Sequence, residues 1–463
     1  MNKVIKSSFW YTISSFLVSG ISIITTPIFT RLLTLNEYGS FSNFNAIYGI
    51  ISTIVTLNLH STLSRARFDY KDNENIYISN MLYISSASSF VAIIVLNIFY
   101  EYIASILGMN RILLNILLLT ALFLPAINIF QTWQRIQYEY KKSVLVSLLL
   151  SVGNIVLSLI FVFSFSDKLL GRIIGCTLPT ILIGAVIMFS YFKKERTIKV
   201  EYWKYALAIC IPYVPHLLSG NLLSQLDRIM ITNMCGAEKN ALYSLAVNCS
   251  MIMTIIISSL NSSYAPWLGE QLHAKNYERI KKVTYMYVLL FVAVLLGNLL
   301  FAPEILLIFG GKKYMEAVYL IPPVVLGCMC QLLYTLYVNI EQFEKETVGM
   351  AIATTVAALF NWVSNAFAIE KFGYQAAAYT TFFSYLLLLI IHYCLVRKMK
   401  KHIVYDNKFI FGILFALVVV VALFIQLYDM IIIRYILCLV YIIAIIVAAV
   451  IVLKSGLLKK GKE

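Results

Sequence analysis

An aspartate and an arginine stand side by side, Asp227 and Arg228, in a stretch that is otherwise mostly apolar. Charge inside a bilayer costs several kcal/mol, so residues of this kind usually face a cavity or a partner. A carboxylate there can take a cation, and a guanidinium can grip phosphate oxygens with a planar fork. His216, Asn221 and Gln225 lie in the same stretch and add hydrogen-bonding groups to the expected cavity wall. Pro212 and Pro215 precede them, three residues apart, freeing backbone carbonyls and weakening the helix. Such a break is tolerated at membrane depth only where the backbone is buried in protein or lines water. Arg31, after Pro27 at the end of the first apolar stretch, is the counterpart of Arg228 in the other half of the chain. Each residue also has a plainer use: a kinked packing helix whose Asp-Arg pair neutralises itself, and an arginine anchored at the lipid interface.

These residues need membrane-spanning helices to hold them. Fourteen apolar stretches, most of 20 or more residues, run from Ser7 to Leu453, and a helix needs about 20 apolar residues to cross the hydrocarbon. The first is placed at 9–29 and the seventh, which carries Asp227 and Arg228, at 207–233. With a cytoplasmic N-terminus, 27 of the 37 Lys and Arg fall on the cytoplasmic side. By the positive-inside rule both termini are then expected to be cytoplasmic. Hydrophobic residues make up 60% of the chain and charged ones 13%, and the mean hydropathy is +0.83. That composition excludes an ordinary soluble domain. The net charge of +15 sits in turns beside the spans, which implies topology and anionic lipid rather than nucleic acid. The lysines before the first apolar run suggest a signal sequence, but the run has no Ala-x-Ala site and reads as a retained helix.

The basic run "KKERTIKVEYWK" follows six spans and divides the chain. The reading is an N-terminal lobe at 1–192, a basic cytoplasmic linker at 193–206, a C-terminal lobe at 207–396, and two further spans with a basic tail at 397–463. Six is even, so the lobes repeat in parallel about an axis along the membrane normal. The segment Pro266–Lys282 is expected as an interfacial helix or a plain turn. Outward turns of at most about a dozen residues leave no room for an extracytoplasmic catalytic domain, which disfavours a sugar polymerase or ligase. The chain has no phosphate-binding G-x-x-x-x-G-K-[ST], no H-E-x-x-H and no nucleophile elbow, so a transporter rather than an enzyme is expected. The eight cysteines are scattered and serve as small apolar residues. No metal site is expected, and Asp227 is the one clear acidic group within a span.

The stretches "TPIFTRLLTLNEYGSFSNF" and "IPYVPHLLSGNLLSQLDRIMITNMCGAEKNALYSLAVNCSMIMTIIISSLNSSYAPWLGEQL" resemble polysaccharide flippases of the Wzx type. These belong to the multidrug/oligosaccharidyl-lipid/polysaccharide exporter superfamily. The resemblance implies an all-α polytopic membrane protein of the MATE type, with two six-helix lobes related by a pseudo-twofold along the membrane normal and enclosing a cavity. Two extra C-terminal helices would complete fourteen spans, with N- and C-termini inside. It implies a substrate, a polyprenyl-pyrophosphate-linked oligosaccharide, moved to the outer leaflet of a bacterial cytoplasmic membrane for capsule or O-antigen. Arg31, Asp227 and Arg228 match motif positions, and His216 sits beside the matched Pro215. Partners would be the phospholipid bilayer and polysaccharide polymerase or assembly proteins; no cofactor is expected beyond a coupling ion, H+ or Na+. An ion-coupled multidrug or cation antiporter of the same fold is the alternative, and it would need Asp227 as its acidic group.

Overall fold

The structure, a computed structural model, describes residues 3–401 and 403–454, apart from some side chains near the two ends. Lys459, Lys460 and Lys462 of the basic tail lie outside the described residues. All regular elements described are helices. The first eight are α1 (Lys3–Leu32), α2 (Leu35–Thr56), α3 (Leu63–Asp69), α4 (Glu74–Ile98), α5 (Tyr100–Leu107), α6 (Arg111–Ile136), α7 (Tyr140–Ser164) and α8 (Lys168–Lys194). There follow α9 (Val200–Cys210), α10 (Val214–Cys235), α11 (Ala237–Cys249), α12 (Met251–His273), α13 (Tyr277–Leu300) and α14 (Ala302–Phe309). The last are α15 (Ile321–Phe343), α16 (Thr347–Phe372), α17 (Ala376–Lys398), α18 (Asn407–Leu427) and α19 (Ile431–Lys454). Among the described residues ten helices are long and apolar enough to cross a membrane, or twelve if two bent pairs each count as one crossing.

Both bends have local causes. Leu57 and Asn58 take positive φ values of 48° and 52°, ending α2 and turning the chain by 47° before α3. The second bend, 51°, separates α9 from α10 at Pro212 and Pro215. Proline has no N–H to give and its ring collides with the preceding turn. The span expected at 207–233 is therefore two helices, and it begins earlier, at Val200.

The stretch 193–206 is largely helical: Lys193 and Lys194 close α8, and only Glu195–Lys199 is irregular. Asn80 of α4 holds it down. Its side chain donates to Thr197 O (2.9 Å) and Ile76 O (2.8 Å) and accepts from Lys199 N (2.8 Å) and Trp203 Nε1 (3.0 Å). The segment Pro266–Lys282 likewise forms no separate interfacial helix. Pro266 lies within α12, Lys275 reverses the chain with φ 55°, and Asn276 caps α13 by accepting from Arg279 N at 3.3 Å. Two of the connections contain short helices, α5 and α14, six spans apart.

The chain forms two compact units, Met1–Ser244 with Thr354–Ala377, and Leu245–Ala353 with Ala378–Glu463. The core of the first packs Phe44, Ile47 and Val55 of α2 against Leu114, Leu117 and Ala121 of α6, with Ile173 and Ile229. Helices α7 and α8 come close enough that a Cβ on Gly175 would lie 2.3 Å from Ser158 Cα. Small residues permit such backbone approach in membranes. A capping box starts α2, with Glu37 accepting from Thr34 N at 2.7 Å and Glu37 N donating to Thr34 Oγ at 3.2 Å.

The two motifs that carry the family resemblance touch each other inside this unit. Asn240 Nδ2 donates to Gly39 O (2.9 Å), and Ser42 and Ser244 share a hydrogen bond of 2.6 Å. A Cβ on Gly39 would stand 1.7 Å from Ala237 O, a backbone atom that cannot swing aside. Gly39→Val is expected to destabilise the chain by about 1–3 kcal/mol, as overpacking does, with the loss read as a lower melting temperature in detergent. An unchanged melting temperature would show that the contact is absent.

In the second unit α15 is buried along most of its length. Helix α19 is bolted to the rest through Arg434, which pairs with both oxygens of Glu304 at 2.6 Å and donates to Leu300 O at 3.0 Å. Outside the spans, Asp406 caps α18 and accepts from Tyr285 Oη at 2.7 Å. The Tyr285 hydroxyl, and then the Phe409 amide, lower the carboxyl pKa. A lowered folded pKa gives stability that is present above the unfolded value, roughly pH 4, and lost as pH falls through the folded one. Asp406→Ala is expected to remove that contribution near neutrality and narrow the stability gap to wild type below pH 4, measurable by thermal unfolding across pH.

Candidate functional site

Helix α10 sorts its polar residues onto two sides. At about 100° per residue, Asn221, Gln225 and Arg228 fall within about 60° of one another, while His216 and Asp227 share the other side. The first group faces α2, where Asn221 Nδ2 donates to Thr53 Oγ1 at 2.8 Å. Arg228 Nη1 donates to Gln225 Oε1 at 3.1 Å. On the other side Asp227, 2% exposed, accepts from the hydroxyl of Tyr243 and from Asn365 Nδ2 at 2.6 Å. Asn365 also donates to Asn361 Oδ1 at 3.2 Å. Adjacent in sequence, Asp227 and Arg228 make these hydrogen bonds in different directions.

The remaining two candidates are His216 and Arg31. His216 is half-buried near the start of α10, its ring 5.5 Å from that of Tyr213. Arg31 is exposed near the end of α1 and reaches back to Pro27 O at 3.5 Å.

Two features escape a reading of the sequence. Arg172 is 8% exposed in the second turn of α8. Its guanidinium carbon lies 3.8 Å from the centroid of Phe29 and 4.6 Å from that of Phe41, and its Nη1 donates to Asn154 Oδ1 at 2.8 Å and to Ser158 Oγ. Among the described residues no carboxylate pairs with Arg172 or Arg228. A cation–π contact contributes roughly 0.5–2 kcal/mol, against several kcal/mol for taking an ion out of water. The only signal in the sequence was an arginine beside glycine near the start of a span.

The other is Glu341, wholly buried, with His392 at 1% exposure. His392 Nδ1 lies 2.9 Å from both carboxylate oxygens, and the Tyr334 ring stacks on the imidazole at 5.7 Å. Asp227 is therefore not the one buried acidic group on a spanning helix among the described residues. Glu341 lies in the last turn of α15, which runs on to Phe343.

Helical spans with a buried acid and buried guanidinium groups suit a membrane transporter. The comparisons place it more closely. A family profile described as polysaccharide biosynthesis protein matches residues 4–272, and the MatE profile matches 212–367. The chain belongs to the polysaccharide biosynthesis protein family, within the multidrug/oligosaccharidyl-lipid/polysaccharide exporter superfamily. An uncharacterized membrane protein of Methanocaldococcus jannaschii is 23% identical over 454 residues, covering 89% of this chain and 87% of its own. The fold is similar to that of the lipid II flippase MurJ in an inward closed conformation, with a TM-score of 0.70 at 13% identity over 94% of this chain and 97% of that one. It is also similar to an inward-facing multidrug resistance MATE family transporter, with a TM-score of 0.59 at 17% identity over 83% and 94%. The all-α, MATE-like architecture expected from the resemblance is thus present.

Proposed function

We propose that the protein is a flippase that moves polyprenyl-pyrophosphate-linked oligosaccharide repeat units from the cytoplasmic to the outer leaflet of a bacterial cytoplasmic membrane, by alternating access. The product would supply capsule- or O-antigen-type polysaccharide, with polymerase or assembly proteins as partners downstream. The observation that carries this reading is Arg228, a cation in the interior of the first unit whose one hydrogen bond goes to a neutral amide. A pyrophosphate crossing a low-dielectric slab needs such a partner. Asn221 and Gln225 on the same side of α10 suit sugar hydroxyls, and Arg31 adds positive charge at the outward end of α1. The description of the family and the lipid-linked substrate named for MurJ support the same substrate class.

The test is accumulation of polyprenyl-pyrophosphate-linked oligosaccharide on the cytoplasmic leaflet of a deletion strain. Build-up relieved by the intact gene is expected; no build-up would refute the reading. An ion-coupled multidrug or cation antiporter is the second reading, favoured by the buried Asp227 with its hydroxyl and amide donors. In that case deletion raises drug susceptibility and Asp227→Asn does the same. In either reading Asp227 is the group of α10 proposed to take a coupling H+ or Na+.

A further inference from the structure

Within the second unit, α17 has two opposite sides. Its exposed large side chains Tyr379, Phe383 and Ile390 fall within about 40° of one another, the stripe a lipid-facing helix carries. Thr381, Tyr385 and His392 lie about 140–180° from that stripe. On this side His392 meets Glu341 and Tyr385 meets Tyr334, both of α15. A side turned from lipid toward a neighbouring helix is ordinarily closed by packing. Here Thr381 and Tyr385 are only half-buried, and so are Gln331, Tyr334 and Thr335 of α15. Those three share an arc of about 100° on a helix that is otherwise mostly buried.

The rings on this face run nearly parallel. The planes of Tyr334 and Tyr385 differ by 8° with centroids 6.3 Å apart, and the His392 ring continues the set at 19° and 5.7 Å from Tyr334. Parallel rings in van der Waals contact stand about 3.5 Å apart, so a centroid distance of 6.3 Å leaves most of each tyrosine face uncovered by the other. Glu341 holds the imidazole by Nδ1 at 2.9 Å and fixes the end of the row. The Gln331 amide lies beside the Tyr334 hydroxyl and makes no other hydrogen bond among the described residues, whereas Thr335 Oγ1 is spent on Gln331 O at 2.7 Å. A polar amide on a spanning helix needs a polar partner. The face therefore combines flat aromatic surface with neutral hydrogen-bonding groups, and its one acid is already matched by His392.

We infer that Tyr334 and Tyr385, with Gln331 beside them, form a stacking platform for an uncharged pyranose ring of the transported head group. A pyranose offers the matching surfaces, C–H groups on its ring face for the aromatic faces and hydroxyls at its rim for the amide. The inference rests on the flippase reading and adds to it a site that takes the sugar rather than the lipid carrier. The full chain in phosphatidylcholine nanodiscs tests it by native mass spectrometry, titrated with the lipid-linked repeat unit extracted from the deletion strain and with sugar-free polyprenyl pyrophosphate. Wild type is expected to bind the sugar-bearing lipid at least tenfold more tightly. In Tyr334→Leu and Tyr385→Leu that preference should fall below threefold with the affinity for the sugar-free lipid within twofold of wild type, while Tyr334→Phe and Tyr385→Phe, which keep the ring face, retain it. An equal preference in wild type and the leucine variants, or none in wild type, would overturn the platform and leave the flippase reading standing. Binding of neither lipid by wild type would bring down that reading itself. Tetraphenylphosphonium bound by wild type, lost in the leucine variants and unaffected by the sugar-bearing lipid, would assign the rings to a lipophilic cation and also overturns the assignment. Should the leucine variants not fold, nitration of Tyr334 and Tyr385 by tetranitromethane in the wild-type chain decides. Protection by the sugar-bearing lipid and not by the sugar-free one supports the platform, and equal nitration with the two lipids refutes it.

Discussion

Arg228→Ala is expected to stop export of lipid-linked sugar while the protein still inserts and folds. In the folded chain Arg228 gives one hydrogen bond, to Gln225, and forms no salt bridge among the described residues, so its removal breaks one hydrogen bond and weakens an electrostatic contact with Asp227. The cost to stability should stay near 1 kcal/mol, that of one ordinary hydrogen bond. The cost to transport is larger. Two hydrogen bonds to a charged oxyanion contribute about 1.5–3 kcal/mol each, and roughly 3 kcal/mol is about a hundredfold. Leaflet-resolved assay of the lipid-linked intermediate checks the rate, and expression level checks folding. Normal surface polymer at normal expression would remove Arg228 from the path.

Glu341→Ala should produce the largest loss of stability of any single change considered. It leaves His392 buried beneath Tyr334 with its partner gone, and breaking a buried pair from one side costs about 3–5 kcal/mol. Glu341→Gln keeps an acceptor for the imidazole and should cost less. Replacing both residues by leucine should cost less than Glu341→Ala alone, because apolar packing often equals a buried ion pair. Thermal unfolding of the purified variants in detergent gives the comparison. A loss below about 1 kcal/mol for Glu341→Ala would mean that the two groups do not depend on each other.

The helical membrane architecture was legible because lipid forces it: backbone polar groups must be satisfied within each span, so apolar length alone marks the helices. The break at Pro212 and Pro215 was legible for an equally local reason, the missing proline donor. Boundaries were less so. A carboxylate such as Glu341 lowers any hydropathy average and hides the last turn of α15, yet a histidine fifty-one residues further on makes that carboxylate tolerable. No local pattern carries such a pairing. Arg172 was passed over for the same reason, since what distinguishes it from an interfacial anchor is two phenylalanines on other helices. Within α10 the residues were found but their directions were not. Only the packing shows that Asp227 turns to Tyr243 and Asn365 while Arg228 turns to Gln225.

The first unit takes its last helical segment, Thr354–Ala377, from far along the chain. Asn365, which bonds to Asp227, is 138 residues downstream of it. At the usual 5–20 residues per second of synthesis, Asp227 enters the membrane roughly 7–28 s before that amide exists. Through that interval an acid-bearing helix must be sheltered by the insertion machinery or lodge against incomplete neighbours. The order of translation, as much as the finished packing, thus constrains where this chain can carry its charge.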